Sequence, residues 1–397
     1  MSYPITSGCW YDGDAMADAP IVTGSSSTYD IVNLLEKCLG IGFNSKSVST
    51  LSRTSTIATA TYDSPHGYVV NQIIDLSSVN ETGWNDRWQV ATVPGGTSLT
   101  FAVPVELNAS PTGSPVTITA PAWKNPAWSG NVKFYTGTGK AAFKILDPAG
   151  SGYFLRVLDT FGTYAQLRGY SSMSNVDTGT GGFYDSNEQF LYRSNVANTT
   201  PRRWRVVADS RFVMVFMIWH DASYRTNVVE GSWFGDVVPF SSGSANAHSI
   251  IASAWATESI PNANNNTFRI GQSFTSDETR GIYFENNATC FKDGPTENII
   301  SSNKGFFGAN NVYNPYPFPA NPGLNDLILL EKVRVRWTNH PQGTLPSIRT
   351  PLNAWDNAPD AFTTITLQGI PYLVIKDNYT SSKQHWYLVK MVGDLRV

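Results

Sequence analysis

The chain has 397 residues, of which 41% are hydrophobic, 13% aromatic and 15% charged, with a formal net charge of −3. So many aromatic residues with so little charge exclude a disordered chain or a coiled coil, and the near balance of charge argues against binding a phosphate backbone. The longest apolar run, Phe212 to Trp219, falls far short of the ~20 residues that span a bilayer, which leaves a globular protein of about two or three domains with no membrane span.

The opening residues, Met1 to Thr6, carry neither the basic stretch nor the apolar run of a signal peptide, so synthesis in a cytoplasm is the expectation. The first structured element is the clearest helix. Ile31, Leu34, Leu35, Cys38 and Leu39 fall on one face, Thr28 or Asp30 is placed to cap the start, and Gly40 is placed to stop it. The spacing predicts one amphipathic helix about ten residues long.

Strands follow. Thr54 to Tyr62 alternates β-branched and small residues, Gly67 to Leu76 reads as a partly buried strand, and Thr97 to Val103 follows a Pro-Gly-Gly turn. Pro104 to Pro126 holds five prolines and reads as an extended connector. Strands are predicted next at Val132 to Tyr135, Ala141 to Leu146, Tyr153 to Asp159 and Tyr164 to Tyr170, with Gly179 to Gly182 as a loop. Arg203 to Ala208 and Arg211 to Trp219 are split by Asp209-Ser210, which predicts a hairpin, and the wholly apolar second half predicts a central strand covered on both faces. Asn310 to Gly323 interleaves prolines with aromatics and is expected to lie over a surface or reach a neighbour. Strands resume at Leu327 to Trp337, where Lys332, Arg334 and Arg336 alternate onto one solvated face, and at Phe362 to Leu367, Pro371 to Asp377 and Trp386 to Val392. The fold class is all-β: multi-strand antiparallel sandwiches with one short N-terminal amphipathic helix. The organisation read from these signals is a helix-plus-strands domain over 1–103, a connector over 104–126, and larger β-sandwich units over 127–397 with a Pro/Asn-rich arm around 256–323.

Chemistry-bearing patterns are sparse. Cys9, Cys38 and Cys290 stand far apart and five histidines are scattered singly, so no disulfide framework, metal site or cofactor is expected. His220-Asp221-Ala222-Ser223 gathers triad residue types, but a triad converges in space rather than along the chain. Thr136 to Lys140 lacks the spacing of a phosphate loop and reads as a hairpin turn. Carboxylates near aromatic strands (Asp159, Asp177, Glu188, Asp209, Asp221 and Asp236) are the candidates for paired acid/base work, with nothing to single out a pair. Among the aromatics, Trp123, Trp128, Tyr313, Tyr316 and Phe318 sit in proline-rich stretches and are the candidates for an interface or a recognition surface.

The order of several segments carries a family likeness. Gly152 to Asp159 is followed by Gln166 to Tyr170, Asp177 to Gly181 and Phe190 to Ser194. After these come Arg203 to Arg211 with its apolar strand, then Trp233 to Phe240 and Ala247 to Ala252. Over roughly 120–255 the chain resembles virion structural proteins of tailed bacteriophages. The resemblance implies a tail-tip or baseplate component made in the bacterial host cytoplasm. It also implies assembly with itself, as a trimer or sixfold ring, and with other virion tail proteins; it brings no catalytic residues. A receptor- or host-glycan-binding module and a capsid decoration protein are the alternatives, with a polysaccharide-degrading enzyme behind them.

Overall fold

The computed structural model describes residues 8–25, 27–123, 133–182, 189–218, 229–236, 238–239, 282–285, 330–337, 340–351, 362–380 and 383–396. It is 51% strand and 5% helix, which places the chain in the expected all-β class with one short N-terminal helix. Strand β1 (Cys9–Asp12) leads to helix α1 (Asp30–Leu35), which continues as one π-turn over Glu36–Ile41. The five apolar residues of the predicted helix face are all buried. The helix stops at Gly42 rather than Gly40: its φ is +75°, and a Cβ there would lie 2.3 Å from Thr119 O. A residue with a side chain could not make that turn into the next strand.

Seven strands follow: β2 (Phe43–Ser47), β3 (Thr50–Thr54), β4 (Ile57–Thr61), β5 (Ile73–Val79), β6 (Arg87–Gly95), β7 (Ser98–Ala102) and β8 (Gly113–Thr119). Their order is β2-β8-β5-β6-β7-β4-β3. The two ends of that path are one bent stretch of chain, because Val48 N–H bonds Pro115 O on one side and Ser49 N–H bonds Thr61 O on the other. The sheet therefore closes into a small barrel, which removes its edges. Leu51, Ala58, Ala60, Trp88, Val90, Leu99 and Phe101 fill it as a separate core.

Strands β9 (Lys133–Gly137), β10 (Lys140–Lys144), β11 (Phe154–Leu158), β12 (Tyr164–Asn175), β13 (Thr178–Gly182) and β14 (Gln189–Tyr192) form an antiparallel sheet in which β13 and β14 both pair with β12. Next come β15 (Arg203–Ala208), β16 (Phe212–Ile218) and β17 (Glu230–Gly235), in the order β1-β15-β16-β17. Every residue of β16 is buried, as its unbroken apolar run requires, and the predicted hairpin forms with Ala208 opposite Val213. The last sheet holds β18 (Val238–Pro239), β19 (Ile282–Glu285), β20 (Leu330–Trp337), β21 (His340–Pro351), β22 (Thr364–Leu367), β23 (Ile370–Thr380) and β24 (Lys383–Lys390).

Several expectations shift. The proline-rich stretch 104–126 is no bare connector, since it supplies β8 between β2 and β5. Thr54 to Tyr62 belongs to a hairpin that turns at Ser55-Thr56, Gly67 to Leu76 becomes strand only from Ile73, and Gly179 to Gly182 lies inside β13. Strand β1 and helix α1 pack into the large core shared by the β9–β14 sheet, the central sheet and β21–β24, so the barrel over 43–119 is the unit with its own interior. The arm around 256–323 lies outside the described residues apart from β19.

The large core is closed where the two ends of the described chain meet. Leu395 is 1% exposed and occupies the space over Gly8, where a Cβ would lie 2.0 Å from its Cδ1. Gly8→Val should lower the unfolding free energy by ~1–3 kcal/mol through overpacking, and Leu395→Ala by ~2–5 kcal/mol through a cavity. In urea unfolding the double variant should lose clearly less than the sum of the two; strict additivity would show that the two residues do not share that space.

Candidate functional site

Asp159 follows β11 and is fully buried beside the start of α1. That helix has no cap of its own. Tyr29 enters it with φ +50° and ψ +45°, and Asp30 turns its carboxylate back to accept the Thr23 N–H at 2.6 Å and the Thr23 hydroxyl at 2.7 Å. The free amides of Ile31 and Val32 instead donate to Asp159 Oδ2, at 2.8 and 3.3 Å, across 128 and 127 residues of sequence. This replaces the expected cap by Thr28 or Asp30. A carboxylate there both accepts the orphan N–H groups and meets the positive end of the helix.

Asp159 Oδ1 pairs with Arg193 Nη1 at 2.8 Å, and neither side chain has any exposed surface. Arg193 donates from Nη2 to Ser25 O (2.8 Å) and Phe161 O (2.5 Å) and from Nε to Gly162 O (3.2 Å). Burial pushes the Asp159 carboxyl up to about 6, against the pull of Arg193 and of the two helix amides. One ion pair thus ties three pieces of chain together: the 23–32 segment, the 158–163 turn and the residue that follows β14.

A second network closes the turn between β15 and β16. Asp209 Oδ1 accepts the N–H groups of Arg211 (2.7 Å) and Phe212 (3.0 Å), which sets the hairpin, and its Oδ2 lies 3.7 Å from Arg396 Nε. Arg396 also forks onto Asp236 O, at 3.1 and 2.9 Å, while Asp236 Oδ2 accepts the Ser151 N–H at 2.7 Å. Asp147 takes the Arg211 Nε–H at 2.9 Å and the Ser210 hydroxyl. Burial raises Asp209 to about 6, with Arg396 opposing the rise.

The third network joins sheets. Arg205 lies 2.8 Å from Asp12 and 3.3 Å from Asp14, and the Phe362 ring lies 4.7 Å from its guanidinium carbon. Asp177, by contrast, is half exposed and held below the usual carboxylate range by its hydrogen bond from Lys140, with Arg156 adding to the effect.

A carboxyl lifted towards neutrality is what acid/base chemistry asks for. Asp159 and Asp209, however, are almost closed to solvent, and their oxygens are taken by backbone amides and arginines. Both bind other parts of the chain. Asp221 and Glu188 lie outside the described residues. Among the described residues no three His, Cys, Asp or Glu side chains are grouped to hold a metal, and no described helix is long and apolar enough to cross a membrane. Of the candidate aromatics, Trp123 is 2% exposed and sits inside the core, its indole N–H donating to Phe212 O at 3.3 Å and its ring 6.3 Å from Phe234. Its proline-rich setting suggested a surface, but β8 carries it inward. Trp128, Tyr313, Tyr316 and Phe318 lie outside the described residues. Arg193 was not singled out from the sequence, because nothing near it in the chain names a partner 34 positions away.

No family model matches the sequence, and no curated protein does. Among solved structures, the phage phi92 endosialidase aligns at 12% identity over 88% of this chain and 51% of its own, with a TM-score of 0.16. The chain spans about half the length of that protein, and superposition at that level does not amount to a shared fold.

Two outcomes follow from these networks. Arg193→Met leaves a buried carboxylate unpaired and should cost ~3–5 kcal/mol of stability, and adding Asp159→Asn should restore part of the loss, as read from chemical unfolding. An additive pair would show that the two groups are not coupled. For Asp209, the folded carboxyl titrates near 6 and the unfolded one near ~4, so the folded chain binds the extra proton between those values. Stability from this group therefore rises as pH falls from 7 to 5, by about 1 kcal/mol, and is lost again as pH climbs through 6. Asp209→Asn should flatten that part of the pH–stability profile; an unchanged profile would place the titration elsewhere.

Proposed function

We propose that this chain is a structural protein of a bacteriophage virion, a tail-tip or baseplate component that works by assembling with itself and with other tail proteins. The observation that carries this reading concerns the segments behind the family resemblance. Gly152 to Asp159, Phe190 to Ser194 and Arg203 to Arg211 take in β11, most of β14, and β15, and Trp233 to Phe240 takes in the end of β17 and β18. The buried charges they contain are committed inside the chain: Asp159 to Arg193, Arg205 to Asp12, and Asp209 to Arg396. Charges that serve catalysis would face a cleft, whereas these bind other parts of the same chain, which supports an architectural role.

The charge content supports the same reading. At 15% charged residues the chain sits well below the ~25% of ordinary soluble domains, and surfaces poor in charge suit contact with other protein surfaces. The glycan-binding alternative draws no support from Trp123, which the core absorbs. Peptides of this chain should be found at a fixed copy number in mass spectra of purified particles of the phage that encodes it, and an image of the particle should place it in the tail. Particles that infect normally and lack the chain would overturn the reading.

A further inference from the structure

One imidazole lies inside the barrel. His66 stands in the loop between β4 and β5 and is 1% exposed. Its backbone is tied on both sides, the N–H donating to Gly96 O at 2.9 Å and the carbonyl accepting from Asn44 Nδ2 at 2.8 Å. Its ring is tied as well. Nδ1 accepts the Tyr68 N–H at 3.0 Å, and Nε2 lies 3.2 Å from Ser98 O. A backbone amide only donates and a carbonyl only accepts, so Nε2 carries the ring proton and Nδ1 carries none.

A second proton has no acceptor here. On Nδ1 it would face the Tyr68 N–H, donor against donor, in a buried site. The Tyr62 and Tyr68 rings lie 4.9 and 5.5 Å from the imidazole. Their hydroxyls are engaged elsewhere, Tyr62 with Thr117 Oγ1 at 3.0 Å and Tyr68 with Asn44 O at 2.6 Å. The strands and turn packed around the loop bring Asn44 from β2, Gly96, Ser98 from β7 and Thr117 from β8, none of them charged. The charged groups of the adjoining segments are turned to other partners: Asp63 accepts the Ser49 hydroxyl at 2.6 Å, and Asp18 pairs with Lys46 at 3.3 Å. Among the described residues no carboxylate bonds to the ring.

The same loop moors the N-terminal segment to the barrel. Gly67 O accepts the Ala17 N–H at 3.3 Å, and Asn71 O accepts the Trp10 indole N–H at 2.9 Å. Gly67 has φ +67°, and a Cβ there would lie 2.2 Å from that of Ala17, so only glycine lets the two pieces of chain come this close. We propose that His66 is a pH-sensitive lock on this mooring, closed by the neutral imidazole and opened when the ring takes a second proton. Opening frees the Tyr68 N–H, loosens residues 66–71 and lets go of residues 10–17, while the chain still joins barrel and core at Gly42 and Ala120. A histidine ordinarily changes charge near ~6.5. The second proton is accommodated only in the opened loop, so acid favours that form. The lock is internal to the chain and does not depend on the assembly reading.

Hydrogen exchange of the full chain, read at the Tyr68 and Ala17 amides and corrected for the intrinsic rate at each pH, tests this. Protection at both should fall about tenfold per pH unit below ~6.5, while the amides of β16 keep theirs. In His66→Asn the side chain still offers an acceptor to the Tyr68 N–H but does not titrate. Protection at the two amides should then be the same on either side of that pH. The nitrogen chemical shifts of the His66 ring give a readout that needs no variant, and at neutral pH they should report the proton on Nε2 alone. Protection that ignores pH in the unaltered chain, or a loss that persists in His66→Asn, would overturn the proposal. So would a ring protonated on Nδ1 while the Tyr68 amide stays protected.

Discussion

The fully buried pair of Asp159 and Arg193 is the constraint on which the arrangement of the large core depends. A short helix that cannot cap itself needs acceptors for its first amides, and here they come from a strand end more than a hundred residues away. That carboxylate is tolerable in the interior because an equally buried guanidinium lies 2.8 Å from it, and backbone carbonyls take the protons on Nε and Nη2 of that guanidinium. Removing either partner leaves a charge with nowhere to go, which is why a pair of modest net worth controls so much structure. The other end of the helix is fixed as well: Cys38 O and Leu39 O accept the N–H groups of Ala122 and Trp123. The helix is therefore a bolt between the barrel, which delivers 120–123, and the sheet that carries Asp159.

The barrel and the large core divide the electrostatic labour differently. In the large core, charges are drawn in and spent on joining segments distant in sequence. In the barrel the outward positions of β3, β4 and β7 carry mostly hydroxyls, and Asp63, just past the end of β4, accepts the Ser49 hydroxyl at 2.6 Å.

Much of the fold was legible in the sequence, for identifiable reasons. Strand β16 announced itself because a central strand must be apolar on both faces, and Asp209-Ser210 announced its turn because Asp is the residue whose side chain accepts the next amides. The apolar face of α1 was legible from its spacing; its cap was not, because the capping oxygen is close only in space. Strand β8 was hidden by its prolines. Pro115 is tolerated there because it lies opposite the register shift between Ser77 and Val79, where the ladder is already interrupted. Strand β13 was hidden by glycine and threonine, which read as loop until a neighbour supplies the pairing. The same limit hid the networks: Asp159, Asp209 and Asp236 were visible as candidates, but Asp12, Asp14, Asp147 and the arginines that meet these acids were not.

Asp159 holds the start of α1 as firmly as the surrounding core is held. Native-state hydrogen exchange resolved to the amides of Ile31 and Val32 tests this most directly. Exchange there should be as slow as in β16, with protection lost at those two amides first in Asp159→Ala. Rapid exchange at Ile31 and Val32 in the unaltered chain, with β16 still protected, would contradict it.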